Sequence, residues 1–348
     1  MPSSRSHRRR SVTWPAVLVA LALAGTSCAT GTAADADRNA DSPPGRTTPT
    51  TAPAAATTEF APYVSATTAA RTDGAGSPGT YNLAFVITDG AGGCTSTWGG
   101  TAAYDSAAVK ARVAKLTASG ADVRVSFGGA AGTEPALACG DTAALVAAYA
   151  KVLDAVGAAK ADFDIEGDAL TDSASVALRN EAIVQLQKER DLDVTYTLPV
   201  MPDGLEKGGR ALLSDAAERG VRLSAVNIMA MNYGSAYTGD MGGYAEQAAR
   251  AAHGQIADIL GLSSARAWTS LHITAMAGVN DVAGETFTLA DAARLRRFAR
   301  QNGVGALSMW ATFRDRACAE GVSTAEASDS CSGVEQTAGA FAEALGSD

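Results

Sequence analysis

Asp162-Phe163-Asp164-Ile165-Glu166-Gly167 is the stretch on which the reading of this chain turns. Side chains of a strand alternate faces with period two, so Asp162, Asp164 and Glu166 share one face and Phe163 and Ile165 the other. If helices cover the outside of a closed parallel sheet, the apolar pair faces them and the three acids point inward. Acids confined together cannot all ionise cheaply, because each raises the pKa of the others. A carboxyl that keeps its proton near neutral pH is what a general acid requires. Glu166 stands last on the run, and Gly167 ends it. Two blander readings stand beside this one: a solvated strand face on a sheet edge, and a carboxylate metal site.

Outward from this run, short apolar stretches alternate with Ala-rich amphipathic ones. The strand candidates are 60–64, 82–88, 122–127, 161–166, 193–199, 225–233, 271–276 and 305–310, with helical segments such as 106–119, 142–157 and 289–302 between them. Such alternation predicts parallel strands joined by crossover helices. Eight repeats over about 285 residues match a TIM barrel in size, so the α/β fold expected is a single (βα)₈ TIM barrel over residues 59–348. The barrel also places Glu166 at the carboxyl end of its strand, where active sites of this architecture form. Gly74, Gly76 and Gly79 spell a dinucleotide-binding pattern, but they precede a strand instead of following one and enclose Pro78. We read them as a loop.

Composition narrows the chemistry. The only histidines are His7, His253 and His272, which weighs against a His-based metal site and against a Ser-His-Asp hydrolase. Arg5, Arg8, Arg9 and Arg10 precede a short apolar run, Trp14 to Ala24, so residues 1–28 read as a signal peptide. Without them the chain has 24 basic against 37 acidic groups, a net −13 that would repel nucleic acid. Residues 29–58 read as a disordered Thr/Ala/Pro linker. Cys28 either leaves with the signal or carries a lipid as the first mature residue, the only membrane contact expected. The protein is thus expected to be secreted, or anchored to the outer face of the cell membrane. Cys94, Cys139, Cys318 and Cys331 are even in number and suit an oxidising compartment. Three pairings are open to them, of which Cys94–Cys139 and Cys318–Cys331 is the one we expect.

The motifs together resemble glycoside hydrolase family 18, the chitinase family. Asp162–Glu166 is similar to that family's D-x-D-x-E on the fourth strand, Ser126-Phe127-Gly128-Gly129 to its S-x-G-G on the third, and Met231-Asn232-Tyr233 to its M-x-Y on the sixth. Trp310, ending the eighth, is similar to the tryptophan that floors the sugar site. Phe60-Ala61-Pro62-Tyr63 and Gly278-Val279-Asn280-Asp281 resemble a bacterial chitinase-like branch. Ala159 and Lys160 depart from the Asp and Gly that open the family's longer signature, and Gly234 from an Asp that many members carry.

The resemblance implies substrate-assisted retaining hydrolysis of β-1,4-linked N-acetylglucosamine, an exception to the two-carboxylate scheme. It makes Glu166 the general acid and base, Asp164 the partner of the acetamido N–H, Asp162 the group that biases Asp164, and Tyr233 a donor to the acetamido oxygen. Trp310, Met231, Ser126, Gly128 and Gly129 would contact the sugar, the glycines by leaving room for close approach. Trp98 and Trp268 could extend the groove, and Asp281 and Asp315 could add contacts. No cofactor or metal is implied, the partner is an N-acetylglucosamine-containing polysaccharide or oligosaccharide, and a monomer suffices. An endo-β-N-acetylglucosaminidase acting on N-glycans needs the same chemistry, and a sugar-binding barrel without activity is the alternative of a different class.

Overall fold

The structure, a computed structural model, describes residues 57–346; the expected signal peptide, Cys28 and nearly all of the expected linker lie outside them. Each apolar run forms a strand. The first is split by Ala61-Pro62 into β1 (Glu59–Phe60) and β2 (Tyr63–Ser65), because proline has no N–H to give a ladder. It is followed by β3 (Thr80–Thr88), β4 (Asp122–Gly128), β5 (Lys160–Asp164), β6 (Asp193–Met201), β7 (Ala225–Ala230), β8 (Leu271–Met276) and β9 (Ala306–Trp310). From β3 to β9 each strand pairs in parallel with the next. The split strand joins the ends of that series, β1 to β9 and β2 to β3. The parallel pairs therefore form a closed circuit with no free edge among these strands.

From β3 onward every crossover carries a helix, the usual connection between parallel strands, whereas β2 reaches β3 through the loop 66–79. The principal helices are α1 (Ala107–Leu116), α2 (Thr142–Val156), α3 (Ser173–Glu189), α4 (Lys207–Arg219), α5 (Met241–Leu260) and α6 (Leu289–Asn302). Their limits are written in local chemistry. Asp141 accepts from the Ala144 N–H at 2.8 Å to start α2. Thr288 and Asp291 form a reciprocal capping box at the start of α6. The Gly74–Gly79 segment is a loop leading into β3, as expected.

Alternation sorts the strand residues into two environments. Phe127 of β4 and Phe163 of β5 face the helices and pack against Tyr149 of α2, and Tyr196 of β6 meets Phe163, with ring centroids 4.7–6.0 Å apart. Their intervening neighbours turn into the circuit, and many are polar. Arg124 donates to Asn82 at 3.0 Å, Asn227 to Thr197 at 2.9 Å, and Thr274 to Asn227 at 2.9 Å. These bonds remove much of the cost of a polar interior, although Arg124 Nε, Thr195 Oγ1 and Ser308 Oγ find no partner among the described residues.

Two disulfides form, Cys94–Cys139 and Cys318–Cys331, as expected. They close loops of 45 and 13 residues. On loop-closure entropy the first should contribute ~4 kcal/mol and the second ~3 kcal/mol. Guanidinium titrations of the two Cys→Ser double variants are expected to show the larger loss for Cys94/Cys139; the reverse order would mean that the closed loops do not set the effect.

Candidate active site

A cavity of about 310 Å³ opens at the carboxyl ends of the strands. Its size suits a small ligand or one end of a longer one. Asp164 and Glu166 line one side of it, Met229, Met231 and Asn232 another, and Tyr63, Phe85 and Trp310 a third. The acids descend in depth. Asp162 is 1% exposed and accepts three hydroxyls, from Tyr63 at 2.9 Å, Ser126 at 2.5 Å and Thr197 at 2.6 Å. Burial pushes its pKa up, and those donors together with the Arg124 charge pull it back. Asp164 has no such support. Its Oδ1 is buried without a hydrogen-bond partner among the described residues. Burial, followed by the charges of Glu166 and Asp162, pushes its pKa well above the usual carboxylate range. Glu166, half-buried beyond the end of β5, is raised by burial and next by Asp281 across the cavity. The site thus holds a graded carboxyl stack in which the upper two keep protons more readily than isolated acids.

The aromatic wall is built as tightly. Trp310 stacks on Phe85 at 5.4 Å and 21°, and Tyr63 meets its edge at 5.9 Å. A broad apolar face of this kind beside polar groups suits the C–H face of a sugar ring.

Behind β5 lies a buried ion pair. Arg179 of α3 donates to Glu134 at 2.7 Å, and Tyr149 donates to the other oxygen of that carboxylate at 2.7 Å. Arg179 also reaches the Ala169 carbonyl at 3.4 Å, in the turn that follows Glu166. Burial opposes the Arg179 charge, but the Glu134 carboxylate outweighs it and holds the guanidinium firmly protonated.

No protein-family model matches the chain. Relatives and solved structures do. The chain is 34% identical over 249 residues to a probable bifunctional chitinase/lysozyme of Escherichia coli (strain K12), a match covering 68% of this chain and 28% of that protein. It is 33% identical over 249 residues to endochitinase 11 of Metarhizium anisopliae, covering 68% of this chain and 47% of that one. The chain thus spans less than half the length of either curated relative. Its fold overlays the catalytic domain of a hyperthermophilic chitinase from Pyrococcus furiosus with a TM-score of 0.73 and 28% identity, covering 82% of this chain and 93% of that domain. The chain belongs to glycoside hydrolase family 18. A family 18 chitinase from Pseudoalteromonas aurantia, 16% identical with a TM-score of 0.51, shares the fold over 73% of this chain and 94% of its own. Mutants of the Pyrococcus enzyme's active domain 2 have been solved with chito-oligosaccharides and align at 28% identity over 82% of this chain and 92% of that one, with a TM-score of 0.72.

Within this family 18 chain the expected site residues divide. Glu166, Asp164, Met231 and Trp310 come together at the cavity, while Asp162 supports them from below. Ser126 does not reach it: fully buried, its hydroxyl is used on Asp162. Gly128 and Gly129 do not line it either. Both have positive φ, 99° and 91°, and a Cβ at 128 would stand 2.2 Å from the Asp164 carbonyl oxygen, one at 129 2.9 Å from the Phe85 ring. The missing side chains let protein, not sugar, approach closely. Tyr233 is not among the cavity residues. The alternation that put it beside Met229 and Met231 breaks at Asn232, whose φ is +54°, so Asn232 faces the cavity and Tyr233 packs against Tyr237 and Tyr244.

Of the further candidates, Trp98 is a core residue donating to the Tyr104 carbonyl, and Trp268 stacks on His253 away from the cavity. Asp315 is buried on the Phe341 and Ala342 N–H groups, whereas Asp281 lines the cavity. Phe85 and Tyr63 were not singled out as site residues from the sequence. A register shift between Leu83 and Val86 aims Phe85, and no short-range pattern announces such an irregularity. The group of acids forms no metal site among the described residues.

Proposed function

We propose that this chain is a (βα)₈-barrel enzyme that cleaves β-1,4 linkages between N-acetylglucosamine units of chitin or chito-oligosaccharides. The observation that carries the reading is one arrangement: a half-buried Glu166 above the buried, proton-retaining Asp164, facing Trp310 across a single cavity. The closed circuit of parallel strands supports the barrel, and the chito-oligosaccharides bound to the Pyrococcus domain support the substrate class.

The sugar's ring lies on Trp310. Glu166 gives its proton to the glycosidic oxygen as the C1–O bond breaks. The acetamido oxygen of the same sugar bonds to C1, forming an oxazolinium ion, and Asp164 accepts from the acetamido N–H through its carbonyl oxygen. Water then adds to C1 and gives its proton to Glu166, which regenerates the acetamido group and the acid. Asp162, held by three hydroxyls, stays anionic more readily than Asp164 and leaves the proton on the upper pair. The two disulfides fit a protein that works in an oxidising compartment outside the cytoplasm.

Two inversions of configuration at C1 retain the anomer. Hydrolysis of chitotriose followed by proton NMR is therefore expected to show the β-anomer first, with the α-anomer growing only by mutarotation. A β-linked glucotriose, which lacks the acetamido group, should not be cleaved. First-formed α-anomer, or equal turnover of both sugars, would sink the substrate-assisted scheme; turnover of neither would sink the chitin reading.

A further inference from the structure

The loop after β8 and the turn after β7 are clasped together from both ends. Asn232 donates its Nδ2 to Asp281 Oδ2 at 2.9 Å, and its Oδ1 accepts from the backbone N–H groups of Asp281 at 3.0 Å and Val282 at 3.3 Å. A few residues on, the fully buried Glu285 accepts from the Gly234 N–H at 2.8 Å. The left-handed backbone of Asn232 is thus stabilised by its own side chain and, next door, by Glu285. The result is a carboxylate, Asp281, fixed on the rim of the cavity that Glu166 also lines. No sugar contact is needed to hold it there.

Resting on the proposed hydrolase reading, we propose that Asp281, clamped by Asn232, is a positioning residue whose fixed anion across the cavity sustains the proton on the general acid Glu166. The other charges around Glu166 leave this task open. Its own strand supplies Asp164, which holds its own proton, and Asp162, which is engaged by hydroxyls below. From β2 comes Tyr63, a buried phenol that stays neutral, and from the segment before α4 comes the exposed Glu206, which lines the same cavity. No Lys, Arg or His lines it among the described residues. The cation near Asp281 is Arg314, whose guanidinium is occupied by the carbonyls of Ser328, Ala277 and Val279. Arg314 keeps its charge and attracts Asp281, but its hydrogen bonds go to those carbonyls and none joins it to Asp281 among the described residues, so Asp281 still acts on Glu166 as a like charge. Its rim position is exposed, so water and salt weaken the effect in the open site. A bound sugar that excludes water strengthens it.

The test is Asp281→Asn, which keeps an acceptor for the Asn232 amide and removes the charge. With the anion gone Glu166 binds its proton less tightly, so the alkaline limb of kcat/KM moves to lower pH, by about half a pH unit. That is roughly a threefold loss above the limb and little change well below it. Asn232→Ala, which frees the carboxylate, should shift the limb in the same direction by less. Added salt should move the limb of the parent, and hardly that of Asp281→Asn. The same midpoint is read without turnover by NMR titration of protein labelled at the glutamate side-chain carboxyl carbon, with the Glu166 signal assigned through Glu166→Gln. A fall in that midpoint in Asp281→Asn supports the proposal even if no sugar is cleaved, an outcome that would overturn only the hydrolase reading. An unchanged midpoint overturns the proposal, as does a loss of activity equal at every pH, which would make Asp281 a substrate contact.

Discussion

Glu166→Gln is expected to lower kcat for chitotriose by about 10²–10⁴-fold while leaving sugar affinity close to that of the parent. Glutamine has the size of the protonated acid and can keep its contacts, but it has no proton to give to the glycosidic oxygen. The loss should therefore appear in kcat and not in KM, the pattern of an interaction made only in the transition state. A chromogenic aglycone that leaves without protonation sharpens the experiment. Glu166→Gln should retain much more of its activity on that substrate in the first step, because little acid help is needed there. If the variant instead turns over chitotriose at the parent's rate, another group supplies the proton and the role assigned to Glu166 is wrong. If affinity collapses with rate, Glu166 is chiefly a binding contact.

Arg179→Met is expected to be the most damaging single change to stability, at about 3–5 kcal/mol. The pair is 0% and 3% exposed at the side chains, so removing the guanidinium leaves the Glu134 carboxylate in a dry interior with only Tyr149 and the Ala136 N–H as donors. That is a large part of the stability of a typical domain. The double variant Arg179→Met/Glu134→Gln removes both charges and should recover much of the loss, since replacing a whole buried pair is far cheaper than breaking it. Guanidinium titration of the three proteins checks the order. A single variant no less stable than the double would mean that water reaches Glu134. Activity should also suffer, because Arg179 ties down the Ala169 carbonyl just after Glu166, and Glu134 packs beside Gly128 at the end of β4.

Much of this was legible in one dimension. The eight apolar runs, the capped helices and the three alternating acids are local patterns, and local patterns survive folding when every level of structure agrees with them. Asp164 and Glu166 could be placed at a strand's carboxyl end because period two and a terminating glycine are properties of neighbouring residues. The same rule failed two residues into the turn after β7. Period-two reasoning carried Tyr233 to the cavity, whereas Asn232 turns left-handed, a conformation that Asn adopts more readily than most residues but that nothing in its flanks demanded.

By itself, then, the amino-acid sequence determined the strand and helix order, the stack of inward carboxyls and the aromatic at the end of the last strand, since all of these follow from periodicities of two and 3.6. Only the tertiary structure decided what each group spends its hydrogen bonds and space on. Ser126 serves Asp162, Gly128 and Gly129 make room for Asp164 and Phe85, and Asn232 holds Asp281 facing Glu166. Those outcomes depend on contacts between residues 36–49 positions apart, whose energies arise only after distant strands have paired. No window short enough to show a periodicity contains both partners.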